Sequence, residues 1–213
     1  TRNANHTEVL VDWYEYSDFY QIVYDDGEAD NVTAWQKGGN MHAIRFTPMA
    51  YPAELFAVQI NIYDGTWPTG ANTQPFEVAV FDDNGPDGMP GTEIGRVAYD
   101  PFAYGWVEVD LSTLGVSIPS GDFYVAMVQG GDYPNCVPIA IDEDAMVYRS
   151  YSRDVSLNQP WQVSEFADFM MRAFVYDESR GMNVIGYTDT KQTATFISGS
   201  ENSISMNPAN VVA

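Results

Sequence analysis

An acidic loop is the part of the chain best suited to chemistry. Residues 81–92 read Phe-Asp-Asp-Asn-Gly-Pro-Asp-Gly-Met-Pro-Gly-Thr and follow a strand-like run at residues 76–80. Oxygen-bearing side chains are crowded in it, and they belong to Asp82, Asp83, Asn84 and Asp87. Carboxylate and carboxamide oxygens are the ligands that Ca²⁺ prefers. The loop therefore predicts a structural calcium site; the alternative is a tight turn whose Asp and Asn side chains cap their own backbone.

Two further acidic clusters offer the same type of ligand. The first lies at residues 25–30 and contains Asp25 and Asp26; the second lies at residues 142–144 and contains Asp142 and Asp144. Each cluster could bind Ca²⁺ through its carboxylates. The alternative for both is a solvated acidic edge with no bound ion.

Three tryptophans are candidates for binding carbohydrate, because they lie in polar, turn-like surroundings. They are Trp35, Trp67 and Trp161, whereas Trp13 and Trp106 lie in strand-like runs that predict packing. An exposed aromatic ring beside polar side chains suits a sugar ligand. For each tryptophan the alternative is packing under a loop.

The sequence indicates that the chain is not an enzyme. His6 and His42 are its two histidines, so a His-rich zinc site is excluded. The sequence contains no Gly-x-Ser-x-Gly elbow, no His-Glu-x-x-His and no phosphate-binding glycine loop. Paired carboxylates could hydrolyse glycosides, but among 30 acidic residues some pairs must lie close by chance.

The elements that would position these side chains read as strands. Apolar and polar residues alternate or cluster in short runs between turns rich in Gly, Pro, Asn and Asp, which predicts an all-β protein. The runs are residues 8–13, 20–24, 41–47, 55–63, 76–81, 93–99, 106–111, 122–129, 137–141, 145–151 and 169–176. Alternation places Phe56 on one face with Val58, Ile60 and Ile62, and predicts sheets with one buried and one wet face. Residues 164–170 could form a turn or two of helix.

Charge and cysteine content narrow the class of partner and the location. The net charge of −21 repels nucleic acid and anionic membranes, so neither nucleic-acid binding nor membrane insertion is expected. No apolar run approaches the length of a membrane span. Because Cys136 is the lone cysteine, an intrachain disulfide is excluded. Such acidity fits a saline or calcium-rich setting outside the cell.

The chain is predicted to hold one sandwich domain with extensions at both ends. The predicted boundaries are residues 1–22 for an N-terminal extension, 23–177 for the sandwich and 178–213 for a C-terminal extension, linker or exchanged strand. The chain starts at Thr1 without methionine, which suggests a processed chain or a piece of a larger one. Alternating residues at 193–198 and 8–13 could pair with a neighbouring copy.

Five segments carry a family resemblance through their order and spacing. They are residues 24–27, 81–92, 106–111, 121–125 and 170–173. With them, residues 23–176 resemble the jelly-roll-like β-sandwich modules of large secreted bacterial multidomain surface proteins of the Bacteroidetes type. The resemblance implies a non-catalytic module used for adhesion, for binding carbohydrate or protein, or as a spacer. Before Trp161, where that family often has a glycine pair, this chain has Asn158, Gln159 and Pro160.

Together these observations predict a jelly-roll-like antiparallel β-sandwich, extracellular or on the cell surface and stabilised by Ca²⁺. The expected function is adhesion or surface assembly, and the expected partner is a cell-surface protein, a glycan or another copy of the chain. Two alternatives remain at this point. One is a carbohydrate-binding accessory domain of a secreted enzyme, and the other is a subunit of a strand-exchanged extracellular filament.

Overall fold

The computed structural model describes residues 19–68, 74–144, 146–177, 183–187 and 193–197. Two compact units divide the chain: residues 20–176, and residues 1–19 together with 177–213. The described elements are strands and two short 3₁₀ helices, η1 (Pro86–Gly88) and η2 (Ser112–Leu114). Apart from the first residue of β1 and the last of β14, the strands of the larger unit lie within these limits: β1 (Phe19–Ile22), β2 (Asn31–Thr33), β3 (Met41–Phe46), β4 (Ala53–Asn61), β5 (Phe76–Asp82), β6 (Glu93–Tyr99), β7 (Trp106–Asp110), β8 (Ser117–Ile118), β9 (Phe123–Val128), β10 (Ile139–Asp142), β11 (Ser150–Arg153), β12 (Gln162–Val163), β13 (Asp168–Phe169) and β14 (Met171–Asp177).

These strands form three antiparallel sheets. Sheet A has the order β1-β14-β4-β7, with β8 paired to β4; sheet B has the order β13-β10-β2; sheet C has the order β12-β11-β3-β9-β5-β6. The backbone of Met170 links sheets A and B, because its N–H donates to the carbonyl of Ala140 and its carbonyl accepts from the N–H of Asn61, both at 3.0 Å.

The main core lies between sheet C and the other two sheets. Its buried side chains come from all three, for example Phe46 and Val125 from sheet C, Ile60 and Val109 from sheet A, and Ile139 from sheet B. Alternation within the strands supplies these residues, as in β7, where Val107 and Val109 are buried and their neighbours are not. The prediction of an all-β antiparallel sandwich is confirmed.

Sheet C also carries a second apolar core on its other face. The cluster includes Met41, Ala43, Phe81, Tyr124 and Trp161. Every residue of β9 is buried as a result. The expectation of one wet face is therefore wrong for this sheet: apolar residues on both faces of a strand give a continuous apolar run, which periodicity alone cannot assign.

The strand predictions are correct for most of the larger unit, with local exceptions. Phe56 is 43% exposed, while Leu55 and Val58 are both buried, so the alternation skips a residue in β4. Strand β11 begins at Ser150 rather than at residue 145, and Tyr148 has a φ of 57°, which a strand does not accommodate. Residues 168–169 form a strand where a helical turn seemed feasible.

In the smaller unit, β15 (Asn183–Tyr187) and β16 (Thr193–Ile197) pair with each other in antiparallel register. The predicted strand at residues 8–13 lies outside the described residues. The three domain boundaries and the exchange of strands between copies stay predictions. Among the described residues, no helix combines the length and apolar character needed to cross a membrane.

Candidate functional site

Three carboxylates from distant parts of the chain meet at one edge of the sandwich. Asp26, Asp142 and Asp144 each place one oxygen within 4.8 Å of the others. Asp142 is fully buried, whereas Asp26 and Asp144 are exposed. With Ca²⁺–oxygen distances of about 2.3–2.6 Å, two ligand oxygens on opposite sides of the ion lie about 5 Å apart. The spacing of the three oxygens therefore suits one Ca²⁺ ion.

Strand pairing brings the two acidic segments together. Strand β10, which ends at Asp142, pairs with β2, which begins just after the first cluster. The N–H of Asp30 donates to the carbonyl of Ile141 at 3.0 Å, and the N–H of Glu143 donates to Asp30 Oδ2 at 2.8 Å. The two clusters that the sequence presents separately thus lie next to each other in the fold.

Backbone donors hold the Asp142 carboxylate in place. The N–H of Asp26 donates to its Oδ2 at 3.1 Å, and the N–H of Asp144 donates to its Oδ1 at 3.2 Å. These two donors orient the carboxylate within the group that it forms with Asp26 and Asp144.

The carboxylates of the cluster repel one another, and Asp144 feels this repulsion from two neighbours. The negative charges of Asp30 and then of Asp26 raise the pKa of its carboxyl above the usual value. A bound cation would relieve this repulsion, because an opposite charge favours the ionised carboxylate.

Asp25 does not belong to this group of three carboxylates and instead pairs with Arg172. Its carboxylate accepts hydrogen bonds from Arg172, with the Nε at 3.1 Å from Oδ2 and the Nη2 on Oδ1. The side chain of Asp25 is 1% exposed, and the guanidinium lies 4.1 Å from the centre of the Trp106 ring. Asp25 therefore anchors the first acidic segment to β14, and Asp26 beside it supplies the oxygen for the cluster.

The acidic loop at residues 81–92 uses its oxygens largely within itself. Asp82 Oδ1 accepts from the N–H of Thr92 at 2.9 Å, and Asp82 Oδ2 accepts from Asn84 Nδ2 at 2.6 Å. Asp83 Oδ2 accepts from the N–H of Asp122 at 2.8 Å, and Asp87 has a left-handed φ of 57°. These contacts match the tight-turn alternative. Calcium at this loop stays a prediction.

This loop also covers the second core. The hydroxyl of Tyr124 donates to the carbonyl of Gly88, and Met89 packs against the apolar cluster. At Gly91 a Cβ atom would lie 1.9 Å from Asn84 Oδ1, so the close approach requires glycine. The glycines that suggested a ligand loop in the sequence thus allow the loop to fold tightly over sheet C.

The three candidate tryptophans differ in their surroundings. Trp161 is 8% exposed and packs edge-on against Phe81 with ring centres 5.6 Å apart, which is packing under a loop. Trp67 is half-buried and lies against Tyr133. Trp35 is half-buried too and lines a cavity of about 340 Å³. Sugar binding by any of the three stays a prediction.

His42 lies in the wall of the same cavity. Strand β3 points it to the side of Ile44 and Phe46, at the end of the main core. Its ring stacks on Trp35 with centres 5.3 Å apart and meets Phe169 at 4.4 Å. In the sequence His42 reads as a strand residue, and no local pattern indicates that it lines a cavity.

Burial lowers the pKa of His42 to about 3. The unfolded chain therefore binds a proton at this residue below about pH 6.5, whereas the folded chain does so only near pH 3. We therefore expect the free energy of unfolding to decrease as the pH is lowered from about 6.5 toward 3. The variant His42→Gln should show a smaller decrease over the same range. Urea midpoints at pH 7, 6 and 5 measure this; parallel curves for both proteins would contradict it.

The comparisons with known proteins give a partial match. No protein-family model matches the chain. Bacillopeptidase F of Bacillus subtilis (strain 168) is 30% identical over an alignment of 179 residues, and the match covers 81% of this chain. The chain spans 12% of the length of that protein.

A solved structure supports the fold. The clostridial cysteine protease Cwp84 after propeptide cleavage superposes with a TM-score of 0.52 and 16% identity, over 76% of this chain and 41% of that one. A structure of the cysteine protease and lectin-like domains of Cwp84, described as a surface layer associated protein of Clostridium difficile, gives a TM-score of 0.48 over 66% of this chain and 33% of that one. At 16% identity the first likeness concerns the fold alone.

Proposed function

We propose that the chain is a non-catalytic accessory module of a secreted bacterial protein, which attaches its parent protein to a surface and is stabilised by Ca²⁺. The convergence of Asp26, Asp142 and Asp144 is the observation that carries the calcium part. The attachment role rests on the sandwich fold, in which loops at the rim vary while the sheets hold them.

The relatives support a place within a larger protein. This chain matches 12% of a protein named as a peptidase, so the peptidase reaction of that relative need not belong to the matched part. The solved structure with a TM-score of 0.52 is also of a protease, and this chain covers 41% of it. A module outside the cell or on its surface, next to a peptidase, is consistent with both.

The geometry of the acidic cluster supports a structural ion rather than a catalytic one. Its two segments lie 116 residues apart at Asp26 and Asp142. An ion bound to both would tie the segment before β2 to the end of β10. Oxygen ligands and nearby backbone suit Ca²⁺, which accepts six to eight oxygens, and water would complete the shell.

Removal of Ca²⁺ tests this site. If free Ca²⁺ exceeds its dissociation constant about a hundredfold, chelation should lower the melting temperature by about 5–10 °C. The variant Asp144→Asn should lose most of this difference. In the presence of chelator, the melting temperature of Asp144→Asn should be no lower than that of the wild type, because the substitution removes the repulsion of Asp144 by Asp30 and Asp26. Calorimetry with and without EDTA measures both effects.

Glu143→Gln is the matched control, since Glu143 lies between two of the ligands but outside the group of three. It should keep the calcium-dependent rise in melting temperature. Identical melting curves with Ca²⁺ and with EDTA would contradict the calcium site, and an equal loss in Glu143→Gln would contradict the assignment of ligands.

Sedimentation with washed bacterial cell walls tests attachment. The purified chain should sediment with the walls in Ca²⁺ buffer and leave casein intact. A chain that stays in the supernatant would contradict the attachment role, and cleavage of casein would contradict the non-catalytic one.

A further inference from the structure

The cavity at Trp35 opens where sheets B and C diverge. Thr33 of β2 and Phe169 of β13 contribute from sheet B, and His42 of β3 and Ser152 of β11 contribute from sheet C. Ser164, Phe166 and Ala167, between β12 and β13, also line it. Its volume of about 340 Å³ lies at the lower end of the range for small-molecule sites, about 300–1,000 Å³. The space therefore suits a ligand of one ring.

Trp35 and Phe166 are two of the aromatic residues that line the cavity. Trp35 is fixed in place, since its indole N–H donates to the carbonyl of Met41 at 3.2 Å and its backbone N–H donates to Gln129 Oε1 at 2.7 Å. Phe166 is 85% exposed, although its neighbour Ala167 is buried. A rigid indole beside an exposed phenyl ring offers flat apolar surface to a ligand that enters from solvent.

Polar groups lie on the same walls. The Nδ1 of His42 is 3.4 Å from the hydroxyl of Ser152, and within the part of the chain that the structure describes its buried Nε2 has no hydrogen-bond partner. A buried nitrogen without a partner costs free energy, and a ligand hydroxyl that reached it from the cavity would supply the missing hydrogen bond. Ser164 donates its hydroxyl hydrogen to the carbonyl of Ala167, so its oxygen keeps acceptor capacity.

The charges favour a neutral ligand. The residues that line the cavity include no Lys, Arg, Asp or Glu. With a net charge of −21, the chain as a whole repels acidic ligands. A nucleotide or a charged peptide would bring charges that nothing in this lining matches, whereas a sugar ring combines apolar C–H faces with uncharged hydroxyls.

We propose that this cavity binds one uncharged sugar ring of a surface glycan, stacked on Trp35 and Phe166 and hydrogen-bonded to His42 and a serine hydroxyl. The inference rests on the proposed attachment function and names the class of ligand that attachment uses. It places the site in a cavity that Trp67 and Trp161 do not line.

An array of neutral oligosaccharides built from hexoses and N-acetylhexosamines, with sialylated counterparts, tests the site. The wild-type chain should bind neutral glycans and bind the sialylated forms more weakly. Trp35→Ala and Phe166→Ala should each weaken binding by about tenfold or more, as expected for aromatic anchors. Phe166→Ala should keep the melting temperature of the wild type, because its ring is exposed.

Trp67→Ala is the matched control and should bind like the wild type. An equal loss in Trp67→Ala, or unchanged binding in both Trp35→Ala and Phe166→Ala, would overturn the cavity as the sugar site. If the chain sediments with cell walls but binds no neutral glycan, or if a peptide competes for the cavity, the inference fails and attachment stands. If the chain does not sediment with cell walls at all, the proposed attachment function itself is contradicted.

Discussion

Phe46→Ala is expected to lower the free energy of unfolding by about 3–5 kcal/mol. Phe46 is fully buried and lies between two aromatic rings, with ring centres 5.8 Å from Tyr24 and 5.5 Å from Phe123. Removing the ring loses its transfer free energy and leaves a cavity that the neighbouring strands close only in part. Urea denaturation followed by tryptophan fluorescence measures the change.

Phe56→Ala is the matched control, because the same side chain is removed from a position that is 43% exposed. We expect a loss of less than about 1 kcal/mol there. A loss at Phe56 equal to that at Phe46 would show that the chain buries Phe56, as simple alternation along β4 suggests, and would contradict the packing described here.

Arg172→Met is expected to destabilise the fold by about 3–5 kcal/mol. The substitution leaves the carboxylate of Asp25, which is 1% exposed, without its cationic partner. It also removes the guanidinium from the face of Trp106. Chemical denaturation at neutral pH measures the loss.

Two comparisons isolate the ion pair. Adding Asp25→Asn to Arg172→Met should recover part of the stability, since the uncompensated charge is then removed. Arg96→Met breaks more exposed pairs with Glu77 and Glu93 and should cost about 1 kcal/mol or less. Equal losses at Arg96 and Arg172, with no recovery in the double variant, would refute a buried pair.

Local patterns in the sequence were sufficient to predict much of the architecture. Alternation in β7 identified Val107 and Val109 as core residues, and the turn residues between runs separated the strands. Both features are local, because alternation compares residues two positions apart and a turn involves a few consecutive residues. The run at 193–198 also corresponds to a strand, β16.

Features that depend on distant contacts were not predictable in the same way. Nothing local indicates that β10 pairs with β2, so the two acidic clusters read as separate sites. The cavity at His42 is lined by residues of five strands and of two connecting segments, which are distant in the sequence and meet only in the fold. Phe56 is exposed because two successive residues of β4, Ala57 and Val58, are both buried, which shifts the alternation by one residue. A prediction from strict alternation assumes that no such irregularity occurs.

Burial of both faces of sheet C bears on how this module can diverge. Along β7 every second position meets solvent, so Glu108 and Asp110 can be exchanged during evolution with little effect on packing. Along Phe123–Val128 no position has that freedom. A polar residue on either side of β9 would enter one of the two cores. We therefore expect distant relatives to differ in sequence at the exposed positions and to keep apolar residues along this strand.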